Sequence, residues 1–322
     1  MRREHRESVP ALVLSFCAFV LLSSTVQNAG AQAWVPPKGT GTISFMHQRI
    51  FNTGHRRIGG FLAKVGQSTN MAVYVEGEYA FTDRLSVSAG LPYVFAKYTA
   101  RNLPPPPIPV LSWDACHCWQ SGFQDFGFRA RYNVFNGGFA LTPSVSFGTP
   151  SHNYEFRGEA VVGRNLKELQ FAVDVGRRLD AISENLSVQG RYSYAIVERP
   201  LDIPNNRSNA RSEAAYQLTR KLGTNGFVSW QHTHGGLSFG SPVPGAALAF
   251  PGDVNTEERL VQHDRMMRDN YWHVGGGASY QFGHFDVFGS YTAFVGGTDT
   301  HDGRAFTVGI SFPFELRLGH TQ

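Results

Sequence analysis

Cysteine is scarce in this chain, with three in 322 residues, too few for disulfides to be the main staple of the fold. Long apolar runs are missing beyond the N-terminus. After residue 31 no stretch of about 18 apolar residues occurs, which excludes a later transmembrane helix. Charge of one sign is missing too: Lys and Arg number 29 against 25 Asp and Glu, a net of +4, so nothing indicates a nucleic-acid partner. Mean hydropathy is −0.24, a value that a hydropathy scan reads as soluble and that a membrane barrel also gives, because its inward residues are polar. Plentiful instead are glycine, with 35 residues, and aromatic side chains, at 13%. Both suit a sheet with aromatic girdles.

The N-terminus carries an address. Arg2, Arg3 and Arg6 precede an apolar stretch from Ala11 to Val26, and two small-x-small sites follow, Ala29-Gly30-Ala31 and Ala31-Gln32-Ala33. This is the pattern of a secretory signal peptide over residues 1–31, with an uncleaved anchor helix as the alternative. Cys17 falls inside the apolar stretch, which argues against a lipoprotein anchor. The mature domain is expected over 32–322, starting near Gln32 or Trp34.

From Met71 to Phe95 two apolar–polar alternations stand back to back. Val73, Val75, Gly77, Tyr79 and Phe81 share a face opposite Tyr74, Glu76, Glu78 and Ala80. After Thr82-Asp83-Arg84 the apolar set resumes with Leu85, Val87, Ala89, Leu91, Tyr93 and Phe95, against Ser86, Ser88, Gly90 and Pro92. A period of two over about ten residues is a strand, long enough when tilted to cross a bilayer core. Similar patterns occur at 40–50, 125–134, 139–147, 169–178, 186–194, 206–218, 226–234, 272–282, 285–294 and 304–314. Connections alternate in length. Those at 82–84, 136–138, 180–184 and 283–284 are short and 219–225 is intermediate; 51–70, 96–121, 149–167, 197–205, 235–270 and 295–303 are longer. Outer-membrane barrels alternate short periplasmic turns with long extracellular loops, whereas soluble sandwiches and lipocalin-like barrels have no reason to. The expected fold is all-β: a transmembrane, up-and-down antiparallel β-barrel of about 12 strands.

The segment from Gly77-Glu78-Tyr79-Ala80-Phe81-Thr82-Asp83-Arg84-Leu85-Ser86-Val87 on to Gly90-Leu91-Pro92-Tyr93 resembles a recurring motif of one large family. So does Gly122-Phe123-Gln124-Asp125-Phe126-Gly127-Phe128-Arg129-Ala130-Arg131-Tyr132. The family is that of outer-membrane transporters named after a phenol meta-pathway degradation protein. The resemblance covers most of the mature chain and implies an outer-membrane, transporter-like protein. Its name suggests aromatic or hydrophobic solutes; it supplies no catalytic residues.

If the apolar face meets lipid, Glu76, Glu78, Asp125, Arg129, Arg131, Asp174, Arg178, Arg191, Arg207, Arg211, Glu213 and Asp286 turn inward. They either line a narrow, mixed-charge passage or close it as a salt-bridged lattice. Arg191, Arg207 and Arg211, on adjacent strands, are candidates for an anion-favouring stretch. Cys116-His117-Cys118 offers at most three metal ligands, against a disulfide with a one-residue gap. His232 and His234 share a strand face, and His263 or His301 could complete a metal site with them; rim polarity is the alternative. Thr256 to Arg268 reads as a short helix. Loops 96–121 and 235–270 are expected to control the mouth. No His-x-Ser, the pair used by barrel phospholipases, occurs, so an enzyme ranks behind a passive channel or transporter and behind a structural or adhesion barrel. The partners expected are outer-membrane lipid and a small solute; no cofactor is indicated, and the oligomeric state is not readable.

Overall fold

The computed structural model describes residues 33–64, 66–100, 116–239 and 262–316. The expected signal peptide at 1–31 and the Pro104–Pro107 run lie outside the described residues. The strands are β1 (Thr40–Arg56), β2 (Leu62–Ala63), β3 (Gly66–Ala80), β4 (Leu85–Ala100), β5 (Trp119–Phe123), β6 (Asp125–Tyr132), β7 (Phe135–Asn136) and β8 (Ala140–Pro150). They continue as β9 (Glu168–Arg178), β10 (Leu186–Val197), β11 (Asn205–Gln217), β12 (Leu222–Gly235), β13 (Asn270–Phe282), β14 (Phe285–Thr298) and β15 (Thr300–Glu315).

Successive strands pair antiparallel, and β15 returns to β1 from Thr40↔Glu315 to Arg56↔Thr300. The result is a closed 12-strand barrel, with β2, β5 and β7 as additions to the ring. Closure gives each of the twelve ring strands a partner on both sides, the condition for a sheet to sit in lipid, while β2, β5 and β7 each pair on one side only.

Alternation along each strand assigns inside and outside. On β9, Asp174 is 1% exposed while Val173 and Val175 beside it are 36% and 42% exposed. The same rule turns Ile43, Val75, Val87, Phe128, Val145, Phe171, Val274 and Val308 outward. So large an exposed apolar belt is what a lipid-facing wall requires and a water-facing one avoids. Aromatic rings edge it: Tyr79–Phe81 (4.9 Å), Phe135–Phe139 (4.6 Å) and Tyr280–Phe282 (4.5 Å) at the end with short turns, and Tyr93–Phe123 (4.9 Å) and Trp230–Trp272 (6.1 Å) toward the other.

Two short turns use one device. Thr82 Oγ1 accepts from the amides of Arg84 (3.1 Å) and Leu85 (2.9 Å), and Thr219 Oγ1 from those of Lys221 (3.2 Å) and Leu222 (3.0 Å). A threonine hydroxyl thereby closes each tight connection.

Two expectations are corrected. The 295–303 loop does not exist as such: β14 and β15 run on to leave Asp299 alone between them. Gly296 and Gly297 look loop-like, yet they pair with Trp272 and Tyr271, since a ladder beyond the lipid belt needs no apolar alternation. Of the helix expected from Thr256 to Arg268, residues 256–261 lie outside the described residues. The remainder holds only a 3-10 turn, His263–Met266. Leu237 takes that segment into a bridge instead: its amide donates to Met266 O and its carbonyl accepts from Arg268 N, both at 2.7 Å.

Candidate functional site

The ten candidates Glu76, Glu78, Asp125, Arg129, Arg131, Asp174, Arg191, Arg207, Arg211 and Glu213 lie at inward positions of their strands and are buried or half-buried. Nearer the short-turn end they form one layer of partners. Arg131 donates to Glu78, Arg191 to Asp174 at 2.6 Å, and Arg211 to Glu213 at 2.7 Å, where Gln189 also donates at 3.2 Å. Glu76 accepts from Tyr74 and lies beside Arg129. Nearer the loop end, Arg207 donates to Glu168 and Asp125 accepts from Tyr154. Glu168 was not among the sequence candidates, although it shares the inward parity of Gln170 and Asp174. Arg191 and Arg211 are cross-strand neighbours, but each of the three arginines on β10 and β11 holds a carboxylate. Arg178 is exposed near the turns, 3.4 Å from Asp180.

Above the charged layer the lumen contains a cavity of ≈ 400 Å³, within the size range of small-molecule sites. Its wall mixes Tyr74, Phe227, Tyr271 and Phe288 with Arg129, Arg211 and Ser290. The Arg211 guanidinium lies 3.6 Å from the Phe227 ring centroid, so charge and aromatic surface share one face of the cavity.

Residues 151–167 fold into the mouth. Tyr154 and Val162, 5% and 1% exposed, pack on Ala72 and Val94; Ala160 packs on Ala96 and Tyr98. Tyr154 also accepts the Asn165 amide at 3.0 Å. Burial, reinforced by Asp125, pushes the Tyr154 phenol well above its ordinary value. Glu159 reaches His55 Nε2 at 3.0 Å and His301 Nε2 at 3.4 Å. Burial raises its carboxyl, but the two imidazoles outweigh burial and hold it below its ordinary value. Burial also lowers Arg164, to about 10.

A second segment clamps the first. Gly158 N donates to Asp264 at 2.6 Å, Arg265 Nε donates to Arg164 O at 3.1 Å, and the Arg265 guanidinium lies 4.8 Å from the Phe156 ring. Leu237, Met266 and Met267 pack with Leu201 and Ile203 beneath it. The described parts of 235–270 thus pack against the 151–167 segment, whereas 101–115 lies outside the described residues. The inserted 151–167 loop was missed. Its signal was Val94, Ala96 and Tyr98 at inward positions of β4, where apolar side chains need a cover.

The opposite end is also occupied. Thr142 Oγ1 donates to Ala33 O at 2.5 Å, and Ala33 N donates to Gln189 at 3.4 Å. A Cβ on Gly176 would come within 2.5 Å of the Trp34 ring, so glycine there admits the chain ahead of β1.

The histidine and cysteine motifs are separated by the fold. Cys116 and Cys118 bond to each other, which removes both thiolates as ligands, and His117 Nδ1 contacts Tyr98 O at 3.2 Å. His232 and His234 face outward, alternating with buried Gln231 and Thr233. His301 faces inward and His263 lies beside Asp264, so these four do not converge. Among the described residues, His55, Glu159 and His301 converge instead, their ligand atoms all within 4.8 Å. Strict alternation would turn His55 outward with Phe51 and Thr53. A β-bulge between Asn52 and His55 places it directly opposite His301.

No protein-family model and no curated protein matches the sequence. In three dimensions an outer membrane channel from Pseudomonas putida F1 is similar, with TM-score 0.65, 11% identity, and coverage of 88% of this chain and 98% of that one. The beta domain of the Bordetella autotransporter BrkA gives 0.49 at 11% identity over 86% and 100% of the two chains, and the NanC porin 0.46 at 8% over 84% and 98%. At these identities the first likeness speaks for fold alone: the chain shares the closed barrel architecture of that outer membrane channel.

Proposed function

We propose that this protein is an outer-membrane channel or transporter, exported on a cleaved signal peptide, that takes small amphipathic solutes through its lumen without catalysis. The carrying observation is the ≈ 400 Å³ cavity between the paired-charge layer and the folded-in loops. Aromatic walls at Phe227, Phe288 and Tyr271 suit an apolar ring or chain, and Arg129 and Arg211 suit a polar or anionic end. The pairs Arg131–Glu78, Arg191–Asp174 and Arg211–Glu213 keep the lining near neutral, which favours hydrogen-bonding solutes over free ions. Residues 151–167 act as the gate, held by Val162 and Tyr154, and solute enters when they leave the wall.

The rival, a sealed structural barrel, is favoured by the same pairs together with Ala33 and Trp34 at the other end. Current across a planar bilayer separates them. Brief openings, blocked by small aromatic acids in the millimolar range, support transport. A silent barrel, both intact and with 151–167 replaced by a short turn, supports the structural reading.

A further inference from the structure

We propose that His55, Glu159 and His301 form a binding site for a divalent first-row transition metal, zinc being the reference ion. The site goes beyond the channel reading and does not depend on it. Two neutral imidazoles and a carboxylate are the donor set of open zinc sites, with a fourth position left to water. The Glu159 oxygens lie 3.0 Å from His55 Nε2 and 3.4 Å from His301 Nε2. Ligand atoms about 2.0–2.1 Å from zinc in a tetrahedron stand about 3.3 Å apart. His55 Nε2 meets Oε1 and His301 Nε2 meets Oε2, so the carboxylate bridges the two imidazoles, each contact close to that length. Taking one ligand atom from each residue, all three lie within 4.8 Å of one another, and small side-chain movements close them onto an ion.

Three independent features preorganise the set. The bulge in β1 turns His55 inward opposite His301, so the two imidazoles come from a rigid cross-strand pair at the β1–β15 seam. Their rings meet edge-to-face at 4.8 Å. Phe239 stacks on His55 with 4.3 Å between centroids and also touches His301 at 5.7 Å, fixing both ring planes from behind. Its amide is in turn held by Asp299 at 3.3 Å. The third ligand comes from the inserted loop, so an ion bound here ties the gate segment to the barrel wall. Access runs from the lumen mouth, where the His301 side chain is 40% exposed. Binding displaces any proton shared between imidazole and carboxylate, so affinity falls on acidification.

The test is calorimetric titration of zinc into the full chain, folded in detergent and stripped with EDTA. One tight equivalent is expected. His55→Gln with His301→Gln should weaken it on the order of 100-fold or more, beyond the effect of removing an outer partner. His232→Gln with His234→Gln should leave it unchanged. Glu159→Gln is isosteric and serves as a milder ligand deletion, and far-UV circular dichroism confirms the barrel in each variant. Cobalt(II) absorption should change between the chain and His301→Gln. The proposal is overturned if the folded chain takes up no zinc, or takes it up equally with both inner histidines replaced.

Discussion

Val162→Ala is the sharpest probe of the gate. Val162 is 1% exposed and is held by Ala72, Val94 and Tyr154; it stays covered only while residues 151–167 remain in the mouth. Removing two methyl groups forfeits about 0.8 kcal/mol each, and the void left between the loop and β4 brings the loss to about 2 kcal/mol. If the side chain is solvated in the open state, that energy is lost from the closed state alone. The open-to-closed ratio should rise roughly 30-fold, since each 1.4 kcal/mol is tenfold. Single-channel recording reads the ratio directly, and Val145→Ala, which trims a lipid-facing side chain 45% exposed, is the matched control. An unchanged open fraction in Val162→Ala, or an equal rise in the control, would refute the assignment of the loop as gate.

Other perturbations test other layers. Asp174→Asn leaves Arg191 facing a neutral partner within the lumen and should destabilise the barrel by about 3 kcal/mol, read from the urea midpoint, with partial recovery on adding Arg191→Gln. Tyr154→Phe removes the donor to Asp125 and the acceptor for Asn165, loosening the loop by about 2 kcal/mol and raising amide exchange across 154–165. Gly176→Val places a side chain where Trp34 lies and should speed hydrogen exchange in residues 33–40; unchanged exchange would contradict the packing of that segment. Against burial, the Glu159 carboxyl is held down by the two imidazoles beside it, so the pairing needs a charged carboxylate and protonated histidines: it is lost as pH falls through the lowered carboxyl value and weakens as pH rises past the ordinary histidine value of about 6.5. In EDTA the loop should therefore be best protected from exchange at mildly acidic pH and loosen both on stronger acidification and above the histidine range.

The barrel was legible because lipid imposes a period of two. Val73 to Phe81 and Leu85 to Phe95 can satisfy a bilayer in one way, and Glu76 and Glu78 follow inward by parity. Legibility failed where that pressure ends. Gly296, Gly297 and Thr298 continue a strand without apolar alternation, and His55 is turned inward by a bulge that leaves no mark in the pattern. The inserted loop left a trace, since Val94, Ala96 and Tyr98 are apolar at inward positions. Choosing Glu155–Leu166 as their cover required three-dimensional contacts. The ion pairs were half legible: the strand alternation supplied the charged residues, but register alone matched Asp174 to Arg191 and brought Glu168 to Arg207.

The most direct measurement is planar-bilayer conductance of the folded protein beside a variant in which residues 153–164 are replaced by a short glycine–serine turn. The intact chain should give brief, small openings and the variant sustained ones, both reduced by a small aromatic carboxylate. Silence from both proteins, each verified as a folded barrel in the same bilayer, would contradict passage through the lumen.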